Sequence, residues 1–186
     1  MARNVAVIVG SLRKESYSRK LALALAPLAA PALDLKIVEI RDLQLYNEDT
    51  EHNPPETWRH FRDQVRAADA VLFVTPEYNR SVPGCLKNAI DVGSRPYGHS
   101  VWLGKPAAII SDSPGLIGGF GANHHLRQSL VFLDMPVLQQ PEAYISGSNK
   151  LVGEDGKIAD ESKREFLTKF MQAFAKWVDH IISNRM

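Results

Sequence analysis

Apolar residues along this chain fall into two alternating patterns. Three short runs, Val5-Ala6-Val7-Ile8-Val9, Ala70-Val71-Leu72-Phe73-Val74 and Ala107-Ala108-Ile109-Ile110, contain no polar position. Such runs mark parallel strands buried on both faces, where neither side of the pleat meets water. Leu35-Lys36-Ile37-Val38-Glu39-Ile40 alternates in part and predicts a strand nearer a sheet edge. Met135-Pro136-Val137-Leu138 is a fifth, weaker run. Its Pro136 lacks an N–H, which suits a strand start or an edge.

Between these runs the apolar spacing becomes helical. Leu21, Leu25 and Leu28 recur on one face, as do Trp58, Phe61 and Val65 after Pro54-Pro55, and Leu126, Leu130 and Leu133. A last stripe holds Phe166, Phe170, Phe174, Trp177 and Ile181, with Ser162 and Glu165 spaced as a capping box at its start. All of these stripes read as core packing. Every gap between strands is long enough for the crossover that a parallel sheet requires. The expected architecture is therefore α/β, a doubly wound five-stranded parallel sheet in order 2-1-3-4-5, with residues 1–186 as a single domain. Residues 46–55 are acidic and turn-rich and predict a surface loop.

Composition narrows the function classes. Lys plus Arg is 22 and Asp plus Glu is 21, a formal net charge of +1. No global field draws the chain to nucleic acid or to an anionic membrane, so neither is expected as a partner. A diffusing electron carrier that docks on redox proteins is usually strongly acidic, and this composition argues against that role. The single cysteine, Cys85, excludes an intrachain disulfide and suits a reducing compartment. The first apolar run, Val5 to Val9, is too short for a signal-peptide core or a membrane span. The expected location is cytoplasmic.

In an open α/β sheet of this order, ligands bind beyond the carboxyl ends of the strands, where strand order reverses. Three loops follow the central runs. The first is Gly10-Ser11-Leu12-Arg13-Lys14-Glu15-Ser16-Tyr17-Ser18-Arg19, whose hydroxyls, guanidinium and backbone N–H groups would face a helix N-terminus and hold an anion. The same residues also read as a serine N-cap followed by a solvated basic turn. The loop is neither a Walker motif nor Gly-x-Gly-x-x-Gly, so a terminal phosphomonoester suits it better than a pyrophosphate. The second is Thr75-Pro76-Glu77-Tyr78-Asn79-Arg80-Ser81-Val82-Pro83-Gly84. Backbone groups of Glu77, Tyr78 and Asn79, with the Tyr78 ring, offer edge and face contacts to a flat heteroaromatic ring; the ordinary alternative is a proline-bounded turn. The third, Ser111-Asp112-Ser113-Pro114-Gly115-Leu116-Ile117-Gly118-Gly119-Phe120-Gly121, has four glycines, which permit close backbone approach to a ligand or serve a flexible linker.

At these loops the sequence resembles the NADPH-dependent FMN reductase family, in particular its bacterial chromate and quinone reductase branch. The resemblance is carried by Gly10-Ser11-Leu12-Arg13 with Ser16 and Ser18, Thr75-Pro76-Glu77-Tyr78-Asn79, Ser81-Val82-Pro83 and Leu86-Lys87-Asn88-Ala89-Ile90-Asp91. Gly104-Lys105-Pro106, Gly118-Gly119 and Leu126-Arg127-Gln128 also match, so it spans nearly the whole chain. It implies a flavodoxin-like fold and an NADH- or NADPH-dependent oxidoreductase that reduces quinones, chromate, azo compounds or free flavin by ping-pong hydride transfer. No side chain is assigned as a catalytic acid or base, because N5 of the flavin carries the chemistry. The resemblance places the FMN phosphate on Ser11, Arg13 and Ser18, with Ser16 and Tyr17 beside them. It lays the flavin ring against Pro76, Glu77, Tyr78 and Asn79, near Asp112 and Ser113, and assigns small acceptors to Tyr78, Arg80 and Arg95. Two positions depart from the family's pattern. Ser18 stands where many relatives have Asn, and Asp112 where they often have a small or apolar residue; a carboxylate near the ring would tune the flavin's potential.

Rival readings are a flavodoxin-type carrier that needs a protein partner, a cofactor-free protein on the same fold, and a low-molecular-weight tyrosine phosphatase. The last needs Cys-x5-Arg, whereas Asp91 stands six residues after Cys85 and the first loop has no cysteine. Cys85 opens a predicted helix, where the dipole would lower a thiol pKa, but it also reads as a packing thiol. His124 and His125 are adjacent, point about 100° apart on a helix and share no metal there. A homodimer or homotetramer is expected, partly from the resemblance. Leu126, Leu130 and Leu133 can face the sheet, leaving Val131 and Phe132 either for a second copy or to pack under the acidic loop.

Overall fold

The computed structural model describes residues 1–184. Five parallel strands form one sheet in the order β2-β1-β3-β4-β5, as expected. They are β1 (Arg3–Val9), β2 (Leu33–Ile37), β3 (Ala70–Pro76), β4 (Ala107–Ser113) and β5 (Ala143–Ser146). The helices are α1 (Tyr17–Ala29), α2 (Glu56–Ala67), α3 (Gly84–Ser94), α4 (Phe120–Phe132) and α5 (Glu161–Ser183).

The unbroken apolar runs are buried because both faces of the central strands are covered. Val5, Val7, Leu72, Val74, Ala108 and Ile110 pack toward α1 and α5. Ala6, Ile8, Val71, Phe73, Ala107 and Ile109 pack toward α2, α3 and α4. The period-2 alternation of strand side chains thus feeds two cores at once. Strands β3 and β4 run past their apolar runs, pairing Thr75 with Ser111 and Pro76 with Asp112. Polar residues are thereby fixed on sheet backbone at the carboxyl edge, where a ligand would sit.

Three boundaries differ from the sequence expectation. Strand β2 ends at Ile37, with the Val38 N–H still donating to the Val7 carbonyl at 3.0 Å, and the Val38 and Ile40 side chains are buried with those of α2. The run Met135 to Leu138 makes a single parallel bridge, Ala107 to Val137, and is not the fifth strand. Pairing with β4 resumes only at Ala143, where Ile110 faces it. Pro136 and Pro141 lack the N–H groups that a continuous ladder would use. Helix α5 is capped by Asp160, whose carboxylate accepts from the Lys163 N–H at 3.0 Å, and Ser162 lies within its first turn. Its buried face is Leu167, Phe170, Met171, Phe174 and Val178, with Phe166, Trp177 and Ile181 on its half-buried flanks.

Candidate active site

The β1 loop begins at a forced glycine. A Cβ on Gly10 would lie 2.5 Å from Thr75 Oγ1, so the chain leaves β1 hard against the end of β3. Ser16 then caps α1, its side chain accepting from the Arg19 N–H at 3.1 Å. Tyr17 and Ser18 open the helix, and the first N–H groups of a helix have no intrahelical acceptor. Those groups and the positive end of the helix dipole favour an anion. The Arg13 guanidinium lies over the Tyr17 ring, 4.6 Å from its centroid, and forms no ion pair among the described residues. Ser16 is spent on capping the helix and Ser18 lies beside Asp112, which leaves the Ser11 hydroxyl, the Arg13 guanidinium and the first N–H groups of α1 for an anion.

The β3 loop is a tight reverse turn. Tyr78 and Ser81 exchange backbone hydrogen bonds of 3.0 Å in both directions, with Asn79 at φ 50 and Arg80 at φ 63 between them. Positive φ at both central residues is the type I′ geometry, which Asn tolerates. The turn commits the N–H and C=O of Tyr78, so its ring, 51% exposed, is what it offers a ligand. Glu77 turns inward. Its Oε2 accepts from the Ala122 N–H of α4 at 3.2 Å and its Oε1 from Arg80 at 3.2 Å. Gly119, the N-cap of α4, has no side chain to do this.

The glycines after β4 serve the fold. A Cβ on Gly118 would lie 2.5 Å from the Tyr144 carbonyl carbon, and one on Gly121 would lie 2.6 Å from the Arg80 carbonyl oxygen. The segment is packed against β5 and the β3 loop, which replaces both the ligand-approach and the flexible-linker readings at these two positions. Asp112 follows Ile110 on the α1 face of β4 and is buried, with its carboxyl beside the Ser18 and Ser148 hydroxyls. Burial pushes its pKa up, and the two hydroxyls counter this only in part.

These loops enclose an open cleft of about 520 Å³ lined by Ser11, Arg13, Ser16, Tyr17, Ser18, Pro76, Glu77, Tyr78, Asp112, Ser113 and Pro114. Asn79, Arg80 and Arg95 are not among its walls. Asn79 and Arg80 make the turn. Arg95 sits over Tyr46, 5.8 Å from the ring centroid, with Glu51 3.9 Å away. Pro114 joins the wall without having been singled out; its place next to Ser113 was the available signal. His124 and His125 face different partners, the Tyr144 hydroxyl at 2.9 Å and the Ser81 hydroxyl at 3.0 Å. Two larger hollows, of about 680 and 730 Å³, lie along the β1–β2 side of the sheet. The cleft spans the β1–β3 switch and combines an anion end with proline and tyrosine surfaces, and it shares Ser11 and Arg13 with the larger of the two hollows.

The family model of NADPH-dependent FMN reductase matches residues 3–150. The chain belongs to this family. It is 68% identical over 176 residues to a quinone reductase of Pseudomonas putida, covering 94% of each chain. It is 47% identical over 178 residues to a 2-hydroxy-1,4-benzoquinone reductase of Burkholderia sp., covering 96% of this chain and 97% of that one. Among solved structures, the flavoenzyme NAD(P)H:(acceptor) oxidoreductase FerB from Paracoccus denitrificans superposes with a TM-score of 0.92 at 43% identity. That match covers 96% of this chain and 98% of FerB. As a member of the FMN reductases, the chain is an NAD(P)H-dependent oxidoreductase with FMN as its cofactor and a flavodoxin-like fold.

The cleft of this FMN reductase suits its cofactor on its own geometry. An uncommitted guanidinium and a helix N-terminus meet the requirement of a phosphate dianion. Pro76, Tyr78 and Pro114 supply the flat apolar surfaces that a tricyclic ring requires.

Proposed function

We propose that this protein reduces quinones, and with them chromate, azo compounds and free flavin, using NADH or NADPH, in the cytoplasm and as a homodimer or homotetramer. The observation that carries the reading is the cleft that joins the Arg13 and α1 anion site to the Pro76 and Tyr78 surfaces at the β1–β3 switch. The names of the relatives from Pseudomonas putida and Burkholderia support a quinone as acceptor. The whole chain acts as one FMN-binding domain. FMN, when bound, would supply the hydride chemistry.

The protein's part is position and access. Ser11, Arg13, Ser18 and the first N–H groups of α1 hold the phosphate, while Ser16 orders the turn that presents them. Pro76, the Tyr78 ring and the Glu77 peptide group hold the ring, with Ser113 at its side. Donor and acceptor would use the same open cleft in turn, and the expected kinetics are ping-pong. Glu77, tied to α4, and Asp112, buried in the cleft wall, are left to the cofactor rather than to the acceptor. Protons for the reduced acceptor come from water. Arg80, whose side chain is largely exposed at the tip of the turn, and Tyr78 form the rim that an acceptor meets.

Steady-state oxidation of NADH or NADPH by the purified protein with a quinone, and no partner protein, tests this reading. Parallel lines in double-reciprocal plots are expected. A yellow protein that turns over only with an added redox protein would make it an electron carrier, and a colourless one would remove the FMN assignment.

A further inference from the structure

Two buried polar residues of the cleft wall, Ser18 and Asp112, meet in the fold. The Asp112 carboxyl lies against the hydroxyls of Ser18, at the start of α1, and Ser148, in the 3₁₀ turn after β5. Asp112 and Ser18 are each 1% exposed, and Ser148 is 4% exposed. Asp112 Oδ2 and Ser148 Oγ reach no partner at hydrogen-bonding geometry within the fold. No lysine, arginine or histidine pairs with the carboxyl among the described residues. A buried anion without a cation is strongly disfavoured, and one placed behind Ser18 would also repel a phosphate bound in front of it.

Protonation of this carboxyl decides what Ser18 can do. A carboxylate only accepts hydrogen bonds, so it would draw the Ser18 O–H inward and leave a lone pair facing the cleft. The uncharged acid has an O–H of its own to donate to Ser18 Oγ. The Ser18 proton is then free to point at an anion. Polar groups linked in such a chain orient and strengthen one another.

We propose that Asp112 is a positioning residue for the phosphate end of FMN: as the uncharged acid, backed by Ser148, it turns the Ser18 hydroxyl outward as a donor to the phosphate. No bond is made or broken in this role; one proton stays on the carboxyl. The upward push of burial on this group agrees with it. The proposal rests on the FMN reading of the cleft.

The test is the dissociation constants of FMN and riboflavin for the apoprotein and for Asp112→Ala, Asp112→Asn and Ser18→Ala. Loss of one hydrogen bond to a charged group weakens binding by about ten- to a hundredfold, so Asp112→Ala and Ser18→Ala are each expected to weaken FMN by that factor. Riboflavin, which lacks the phosphate, is expected to bind all four proteins alike. Asp112→Asn is expected to restore FMN binding, because its amide N–H replaces the acid O–H at nearly the same size. In the infrared, the apoprotein is expected to show a carboxylic-acid C=O band that Asp112→Asn lacks. FMN binding about tenfold tighter in Asp112→Asn, with riboflavin unchanged, would show an ionised Asp112 and overturn the proposal. Equal loss of FMN and riboflavin in Asp112→Ala, with Asp112→Asn no better, would show a packing role and overturn it too. Failure of the parent protein to prefer FMN over riboflavin would overturn the phosphate assignment itself, and this proposal with it.

Discussion

Glu77 Oε2 accepts the Ala122 N–H at 3.2 Å, so a carboxylate from the β3 loop caps a helix that begins after β4. With His125 on Ser81 at 3.0 Å, this contact makes one body of the two loops that wall the ring end of the cleft. The Glu77 side chain is only 12% exposed and lies at the positive end of the α4 dipole. Removing a helix-capping acceptor costs about 0.5–2 kcal/mol. Glu77→Ala is therefore expected to lower the unfolding free energy read from urea titration by that amount and to weaken FMN and riboflavin equally, because the ring wall loosens. Glu77→Gln keeps the acceptor and is expected to recover most of the stability. Unchanged stability in Glu77→Ala would show that the cap carries no weight.

Arg13→Ala is expected to weaken FMN without weakening riboflavin. The guanidinium has no ion-pair partner among the described residues, so its loss leaves none of their charges stranded. A hydrogen bond to a charged group is worth about 1.5–3 kcal/mol, or roughly one to two decades in Kd. Titration of the apoprotein with both flavins checks it; parallel losses would assign Arg13 to folding.

Cys85→Ser is expected to leave FMN content and turnover intact. Cys85 is the second residue of α3, where backbone amides lower a thiol's pKa, but burial outweighs them and pushes it up. The thiolate is scarce at neutral pH, and hydride transfer does not call for it. Loss of turnover with flavin fully bound would revive a redox thiol.

Asp112 gives the apoprotein a signed pH dependence. Its pKa is raised in the fold, so its contribution to stability is full below the unfolded value of about 3.9 and is lost as pH rises through the folded value. Glu15 and Glu165 are lowered by Lys20 and Lys169 but are fully exposed, and they are common to both proteins compared. Asp112→Asn is expected to gain on the parent in urea midpoint as pH rises from acid toward neutral. A difference between the two that does not change with pH would place an ordinary ionised carboxylate at this position.

Val131 and Phe132 are 75% and 89% exposed, so the loop at residues 46–55 does not cover them. Two adjacent exposed apolar side chains next to a sheet-facing stripe suit an isologous contact between copies. Sedimentation equilibrium at micromolar concentration is expected to give a multiple of 20.7 kDa, reduced toward the monomer by Phe132→Glu. A parent mass near 20.7 kDa with FMN bound and activity retained would remove the oligomer from the proposal.

The three central strands and their order were legible in the residues alone, because a strand buried on both faces permits no polar position and its run cannot be read in another register. The loops after them were legible for a related reason: hydroxyls, an arginine and prolines clustered where the topology puts a ligand. The fifth strand was not, since Ala143–Ser146 is four residues long, and the more apolar Met135 to Leu138 contacts β4 at one bridge only. The glycines after β4 could not be separated into ligand-facing and packing positions, because the backbone each one approaches, at Arg80 or Tyr144, is brought near only by folding. For Asp112, the sequence showed a carboxylate at the end of a strand and suggested a place by the ring. Which hydroxyls it meets depends on the side of the pleat it takes and on where α1 and the turn after β5 cross it. That placement belongs to the tertiary structure, which buries the carboxyl in the cleft wall beside Ser18 and Ser148.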